Sequence, residues 1–339
     1  MTIPEGVRTL GLLLTDDFAL MSYASIIEPY RAANVLAGET LYRWLHVSID
    51  GGPVRASNGA SVAADLPVGR ALDCDTLFVF AAGDPASFDD ARTFAWLREI
   101  ARGGATIAGV SGGPFVLARA GLLDGYRATI HWEHRAAFEE AFPNIAIEPS
   151  LYVIDRRRVT CAGGTSGLDL AIELIEREQG HALAARVGDW FIRTQSRAAH
   201  QPQRASLRER YGIANDRVLK VLARMEASVE DPQSRHELAR LAGVSARQLE
   251  RLFARHVGES VGERYRRIRL LQADQLLKTT SLSATAVAIA CGFRSSSQFS
   301  RAFKAFHGAS PVKARQPGAA PAKAVRASST ALRCSALVG

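Results

Sequence analysis

Two segments near the carboxyl end of the chain place polar and cationic side chains at helical spacing, opposite an apolar stripe. The first segment offers Arg247, Gln248, Arg251 and Arg255. The second offers Ser296, Ser297, Arg301 and Lys304. Arginine forms paired hydrogen bonds with guanine, and arginine and lysine both pair with phosphate. The two segments therefore predict a pair of helices that contact DNA.

Each segment is the second helix of a helix-turn-helix pattern, one over Ser234 to Val257 and the other over Ser283 to His307. Gly243 and Gly292 lie at the turns, where the left-handed backbone conformation favours glycine. A serine three residues before a glutamate or glutamine predicts a capping interaction at three helix starts, which are Ser234 with Glu237, Ser245 with Gln248 and Ser295 with Gln298. Residues 260–278 contain helix formers and no proline, which predicts one helix connecting the two units.

Apolar spacing predicts which sides of these helices are buried. In the first unit the expected core residues are Leu238, Leu241, Ala242, Leu249, Leu252 and Phe253. In the second unit they are Val287, Ile289, Ala290, Phe299, Ala302, Phe303 and Phe306. A helical protein-interaction module would show similar hairpins and is kept as an alternative, although two copies with exposed cations favour DNA binding.

Ser111 is a third feature of the sequence, besides the two cationic segments, that suggests chemistry. It separates an apolar strand from Gly112, Gly113 and Pro114, a pattern typical of a sharp strand-to-helix turn that exposes a side chain. Between Val7 and Ala120 short apolar runs alternate with helical stretches, which predicts an α/β fold with a parallel sheet covered by helices. Sites in such sheets lie at the carboxyl ends of the strands, a position expected for Glu28, Ala82, Gly83, Ser111 and His131.

Charge divides the 339-residue chain into two parts. Residues 1–203 hold 18 basic and 24 acidic side chains, a net charge of −6, whereas residues 204–316 hold 21 and 10, a net charge of +11. The basic part is the one with the helix-turn-helix patterns, as binding to phosphate requires. The four cysteines, Cys74, Cys161, Cys291 and Cys334, lack disulfide or metal spacing, and neither a signal sequence nor a membrane span is evident, so we expect a cytoplasmic protein without metal or cofactor.

The stretch CGFRSSSQFSRAFKAFHGASP, with LARLAGVSARQLERLFARHVGES and the RLLQADQLL helix before it, resembles the DNA-binding domain of AraC/XylS-type transcriptional regulators. The resemblance implies two recognition helices in successive major-groove segments, about 34 Å apart, on promoter DNA. It places the base-reading positions at Arg247, Glu250, Arg251, Ser296, Ser297 and Arg301. Gln298 and the Ala305, Phe306, His307 ending depart from the usual pattern, which leaves the preference of the second helix open.

The amino-terminal part resembles class I glutamine amidotransferase-like domains of the ThiJ/PfpI type, notably at AGLLDGYRATIHW. Enzymes of that family place a cysteine at the strand-to-helix turn, an acidic residue near the first helix and often a histidine after the turn, positions matched here by Ser111, Glu28 and His131. Serine needs an aligned general base where a cysteine thiolate does not. The substitution therefore favours a catalytically inactive binding pocket. A purely structural turn and a serine-dependent amidase or hydrolase using His131 are the alternatives.

The combination of domains is similar to the GlxA-like branch of AraC-type regulators, and phrases such as EPYRAANVLAG and TCAGGTSGLDL resemble its arginine-, carnitine- and glycine-betaine-responsive members. The resemblance implies a homodimer that senses a small effector, an amino acid or quaternary amine, and activates catabolic operons with RNA polymerase. Glu28 would then meet a cationic group and Trp132 a quaternary ammonium, unless Trp132 and His131 only pack in the core. The expected layout is a sensor over residues 1–195, a linker over 196–212, a DNA-binding domain over 213–316 and a disordered tail over 317–339.

Overall fold

The computed structural model describes residues 6–280 and 282–315, so Cys334 and the predicted tail lie outside the described residues. Its strands are β1 Arg8–Leu14, β2 Tyr42–Ser48, β3 Val54–Arg55, β4 Ser61–Val62, β5 Leu66–Pro67, β6 Thr76–Ala81, β7 Thr106–Ser111, β8 Arg127–Ala128, β9 Ala146–Ile147, β10 Tyr152–Asp155 and β11 Arg158–Cys161. Its helices in the amino-terminal domain are α1 Leu20–Ala37, α2 Ala91–Arg102, α3 Gly113–Arg119, α4 Arg135–Ala141, α5 Ser166–Gln179 and α6 His181–Trp190. Those that follow are α7 Leu207–Tyr211, α8 Asp216–Ala227, α9 Arg235–Leu241, α10 Ala246–His256, α11 Val261–Thr279, α12 Ala284–Ala290, α13 Ser296–His307 and α14 Pro311–Ala314.

The main sheet of the amino-terminal domain has the strand order β10, β11, β7, β6, β1, β2, β5 in the described residues. Neighbouring strands are parallel except β10, which pairs antiparallel with β11 at one edge. Strands β1, β6 and β7 are buried on both faces, which explains their continuous apolar sequences. The predicted α/β class with a parallel sheet is confirmed.

Helices cover both faces of this sheet. On one face α1, α5 and α6 bury Ile26, Ile175 and Val187, respectively. On the other face α2 and α3 contribute Leu97 and Phe115. Helix α1 connects the parallel strands β1 and β2, and α2 connects the parallel strands β6 and β7, so the carboxyl ends of these strands lie at one edge of the sheet, where the candidate site is built.

The carboxyl-terminal domain has two small cores joined by α11. The first core packs α8, α9 and α10 against Tyr265 and Ile268 of α11, and the second packs α12, α13 and α14 against Leu270 and Leu277. The connecting helix predicted from the sequence is therefore present. Its 19 residues correspond to a rod of about 28 Å.

Two apolar residues that were expected in the second core are exposed. Ile289 is 62% exposed because α12 buries Val287 and Ala288, and a residue two positions after Val287 points to the other side of a helix. Phe306 is 36% exposed. The ring that packs on Phe303 is that of His307, four residues later, with the two ring centroids 4.3 Å apart. The expectation that Ile289 and Phe306 lie inside was wrong.

The segment after α6 is fastened to the amino-terminal domain by a buried carboxylate. Asp169 of α5, with a side chain only 2% exposed, accepts hydrogen bonds from Arg193 at 2.7 and 3.0 Å and from Arg197 at 2.8 Å. Arg197 also donates to the Thr165 hydroxyl at 3.0 Å. Further along, the Ala199 carbonyl accepts a bond from the Leu151 amide at 2.8 Å. Part of the predicted linker is thus bound to the surface of the amino-terminal domain.

Within the described residues Cys74, Cys161 and Cys291 are free, and no helix is long and apolar enough to cross a membrane. The same residues contain no group of three or more side chains arranged to hold a metal ion.

Candidate functional site

Ser111 lies at the turn that the sequence predicted, at the end of β7. Its φ of +61° is in the left-handed region, and the residue is 6% exposed. The turn requires glycine beside it, because a Cβ on Gly113 would lie 2.2 Å from the Val79 carbonyl oxygen. The register pairs Ser111 with Ala81, so Ala82 and Gly83 continue alongside it at the carboxyl edge of the sheet.

A second turn, after β11, closes over Ser111. A Cβ on Gly163 would lie 2.7 Å from the Ser111 Cβ and 2.7 Å from the Ser22 hydroxyl oxygen. The Gly164 amide donates to the same hydroxyl at 2.8 Å. Ser22, in the first turn of α1, is therefore a site residue that the sequence analysis missed.

Glu28 lies farther along α1 and does not reach this turn. Its carboxylate pairs with Arg31 at 2.7 Å, and it is not among the described residues that line the cavity below. Of the residues singled out from the sequence, the structure brings together Ser111, His131 and Trp132 but not Glu28. The six-residue separation from Ser22 places Glu28 about 9 Å farther along the helix axis.

His131 is arranged as a neutral ring. Its Nδ1 accepts a long hydrogen bond of 3.4 Å from the Glu133 amide and lies 3.6 Å from the Glu133 carboxylate. Burial lowers the pKa of His131, and the Glu133 charge opposes that shift. The hydrogen bond between these two residues runs from the His131 amide to the Ser111 carbonyl oxygen, at 3.4 Å, and does not involve the imidazole ring. Within the described residues no general base is hydrogen-bonded to the Ser111 hydroxyl.

A cavity of about 1000 Å³ opens from Ser111 toward the carboxyl-terminal domain. Its amino-terminal wall includes Ser22, Gly83, Ser111, His131, Trp132, His134 and Gly164. Its other wall includes Arg210, Tyr211, Glu226, Ile268, Leu271, Gln272 and Gln275. The Gln275 amide bridges the walls by donating to the Glu133 carbonyl at 2.7 Å. Both domains thus form the site, which the sequence could not show.

Polar atoms in this cavity are left without partners. His134 is 4% exposed, and burial, followed by the nearby His131, lowers its pKa to about 4. Its Nδ1 has no hydrogen-bond partner among the described residues, nor has the buried Nε of Arg210. Trp132 faces the guanidinium of Arg204, whose central carbon lies 4.5 Å from the ring centroid. Buried groups of this kind are normally satisfied, so the cavity is suited to a polar ligand.

The helices α10 and α13 present the cationic faces that the sequence predicted. Exposed side chains on α10 are Arg247, Gln248, Arg251 and Arg255, and those on α13 are Ser296, Ser297, Gln298, Arg301 and Lys304. Among the described residues that line the cavity, none belongs to α10 or α13. Both surfaces are therefore open to a partner.

Glu250, by contrast, is already engaged. Its carboxylate accepts a hydrogen bond of 3.1 Å from the Val261 amide at the start of α11, and it lies 3.6 Å from Arg235. This carboxylate therefore links α10 to the start of α11. Gln248 also closes the capping box with Ser245, as predicted.

The turns of the two helix-turn-helix units have the expected geometry. Gly243 and Gly292 have φ of +65° and +68°. The second turn is held by α11, since Arg269 donates to the carbonyls of Cys291 and Gly292 at 2.7 Å each and stacks on Phe293 at 4.2 Å. The turn and α11 are consequently fixed to one another.

Comparisons with known proteins agree with these two parts. Residues 13–177 match the model of the DJ-1/PfpI family, and residues 238–317 match a helix-turn-helix domain of the AraC type. The HTH-type transcriptional regulator GlxA of Rhizobium meliloti (strain 1021) is 43% identical over 92% of this chain and 97% of its own length. CdhR of Pseudomonas aeruginosa, also an HTH-type transcriptional regulator, is 42% identical over 89% of this chain and 90% of its own.

A solved structure of a putative transcriptional regulator protein from Vibrio parahaemolyticus shares the fold of the amino-terminal part, with a TM-score of 0.50, 24% identity and coverage of 55% of this chain and 99% of that one. The relatives that match most of the chain are named HTH-type transcriptional regulators, which favours the regulator interpretation over the hydrolase alternative. The chain therefore belongs to the HTH-type transcriptional regulators that join a DJ-1/PfpI-type domain to an AraC-type DNA-binding domain.

Proposed function

We propose that this protein is an effector-responsive regulator that binds promoter DNA through α10 and α13 and senses a small molecule in the cavity beside Ser111. The observation that carries the DNA part is the pair of exposed cationic helices mounted on one continuous helix. Because α11 packs against the first unit near its start and against the second near its end, it holds the two helices at a fixed spacing, and the proposal requires that spacing to match one DNA turn, about 34 Å.

Individual side chains then take different roles at the DNA. Arg247, Gln248 and Arg251 read bases from the first helix, and Ser296, Ser297, Gln298 and Arg301 read them from the second. Arg255 and Lys304 pair with phosphates at the ends of the two helices. Glu250, whose carboxylate binds the Val261 amide, positions α11 instead of reading a base.

The effector binds among Ser111, His131 and Trp132, with the partner-free His134 nitrogen as a hydrogen-bonding group. A small nitrogen compound, an amino acid or a quaternary amine, matches the aromatic face and the neutral histidines. In this proposal the protein acts in the cytoplasm as a homodimer formed by its sensor domain. It activates catabolic genes by recruiting RNA polymerase when the effector is present.

The DNA part is tested by gel retardation of the full chain on its own upstream region at moderate salt. Loss of one base-reading arginine removes about 1–3 kcal/mol, so Arg251→Ala and Arg301→Ala should each weaken specific binding about five- to 150-fold. Arg177→Ala is a matched control, because Arg177 lies on α5 and pairs with Glu173 at 2.7 Å. Retention equal to that of the unmodified chain in both variants would contradict the proposal and favour a protein-interaction module.

The effector part is tested by a thermal-shift screen of the full chain against amino acids and quaternary amines. A ligand present at 100 times its dissociation constant stabilises the folded state by about 2.7 kcal/mol. The shift should be lost in Trp132→Leu. A screen in which no compound raises the melting temperature would count against the sensing role while leaving the DNA result untouched.

A further inference from the structure

The side chain of Arg204 occupies the face of the Trp132 ring inside the cavity. Its guanidinium covers Trp132 in the interdomain cavity, with the central carbon 4.5 Å from the ring centroid. Within residues 6–280 and 282–315 no hydrogen bond or ion pair holds this guanidinium. Burial, and then the charge of Arg210, lower the pKa of Arg204, while Glu226 and Glu133 oppose that change. The contact is therefore a cation on an aromatic face with its N–H donors unused.

We propose that Arg204 is a displaceable internal cation, and that an organic cation with a guanidinium or alkylammonium head binds in the interdomain cavity by replacing it over Trp132. The inference rests on the effector cavity of the proposed function and names its ligand class and its readout. The ring already accommodates a guanidinium, so its face is open to this chemistry. Glu133 supplies a neighbouring negative charge, and the unpartnered His134 nitrogen supplies a hydrogen-bonding atom for the rest of the ligand.

The residues on either side of Arg204 connect this exchange to both domains. Immediately before it, the Gln203 side-chain amide is fixed to the sensor domain, with its nitrogen 2.8 to 3.1 Å from Thr129, Ile130 and Ser150 oxygens. Two residues after it, Ser206 begins α7 through a capping box with Glu209. Movement of Arg204 is consequently confined between an anchored residue and α7, the short helix that precedes the DNA-binding domain.

Helix α7 in turn is bound to α8. Arg210 pairs with Glu226 at 2.7 Å, and the Tyr211 hydroxyl donates to the same carboxylate at 2.7 Å. Arg210, Tyr211 and Glu226 also line the cavity. A ligand that expels Arg204 therefore acts on the helices that carry the first helix-turn-helix unit, and the two states differ in whether Arg204 or the ligand occupies Trp132.

The experiment is isothermal titration of the full chain with methylguanidinium and with tetramethylammonium, using uncharged tert-butanol as the control ligand. Removal of the internal competitor in Arg204→Ala should tighten binding of both cations about two- to thirtyfold, the range that one cation–π contact supplies. Arg204→Gln, which keeps most of the side-chain length, should do the same. Trp132→Leu should weaken binding whether or not Arg204 is present.

Arg208→Ala is the matched control, because it removes the same charge four residues on, where Arg208 pairs with Asp216 at 2.8 Å on the surface. Equal affinities for the unmodified chain and both Arg204 variants would overturn the proposal. So would equal tightening in Arg208→Ala, which would indicate a general charge effect, or the absence of cation binding in Arg204→Ala. None of these measurements includes DNA, so failure here is distinguishable from failure of promoter binding.

Discussion

Replacement of Asp169 by alanine should release the linker from the sensor domain and destabilise that domain. The carboxylate is 2% exposed and binds Arg193 and Arg197, whose side chains are 14% and 39% exposed. Removing one partner of a buried ion pair costs about 3–5 kcal/mol because the other charge stays uncompensated. Arg197 can turn to water, so we expect the lower end, about 3 kcal/mol. For a domain of this size that loss corresponds to a fall of about 6–12 °C in melting temperature.

The assay is differential scanning calorimetry of the full chain. In Asp169→Ala the transition of the sensor domain should fall, whereas the transition of the helix-turn-helix domain should stay in place. Glu173→Ala is a control on the same helix, because Glu173 pairs with the exposed Arg177 and such surface pairs contribute less than about 1 kcal/mol. A sensor transition in Asp169→Ala within about 2 °C of the unmodified chain would refute the account of the linker as fastened by this carboxylate.

Three further predictions concern DNA, acid stability and catalysis. Arg255→Ala and Lys304→Ala should weaken binding to all DNA sequences alike and lower the salt-dependence slope by about one each, so a slope that stays unchanged would remove them from the phosphate contacts. His134 has a folded-state pKa of about 4, below its ordinary 6.5. The unfolded chain therefore takes up that proton first, so this group's contribution to stability is complete above about pH 6.5 and is lost as the pH falls toward 4, and urea unfolding across this range should show less acid sensitivity in His134→Asn. A fluorophosphonate probe should leave Ser111 unmodified, and labelling that disappears in Ser111→Ala would restore the hydrolase interpretation.

The features that the sequence predicted correctly are those determined by neighbouring residues. The doubly buried strands β1, β6 and β7 are continuous apolar runs, and the sharp turn at Ser111 follows from two glycines and a proline beside it. The capping boxes at Ser234 and Ser245 need only a partner three residues away. Local chemistry of this kind leaves few alternative structures.

The features that were missed depend on contacts between distant parts of the chain. Ser22 joins Ser111 in the cavity wall, and its hydroxyl accepts a hydrogen bond from the Gly164 amide, 142 positions later. The anchoring of the linker by Asp169 spans 24 to 28 positions, and no motif marks it. The family resemblance placed Glu250 among the base-reading positions, and the sequence does not reveal that the Val261 amide binds its carboxylate. Such pairings follow from how the elements pack, which periodicity does not encode.

The position of α11 determines how an effector signal can reach the DNA. Leu271, Gln272 and Gln275 of this helix line the cavity, whereas Arg269 of the same helix holds the turn before α13. Tyr265 near its other end donates to the Ser228 carbonyl at 2.6 Å, which fixes the loop before the first unit. A ligand that moves α11 therefore moves both reading helices together and leaves their separation unchanged. We infer that the effector alters the orientation of the whole DNA-binding domain relative to the amino-terminal domain, rather than the fit of either helix to its groove.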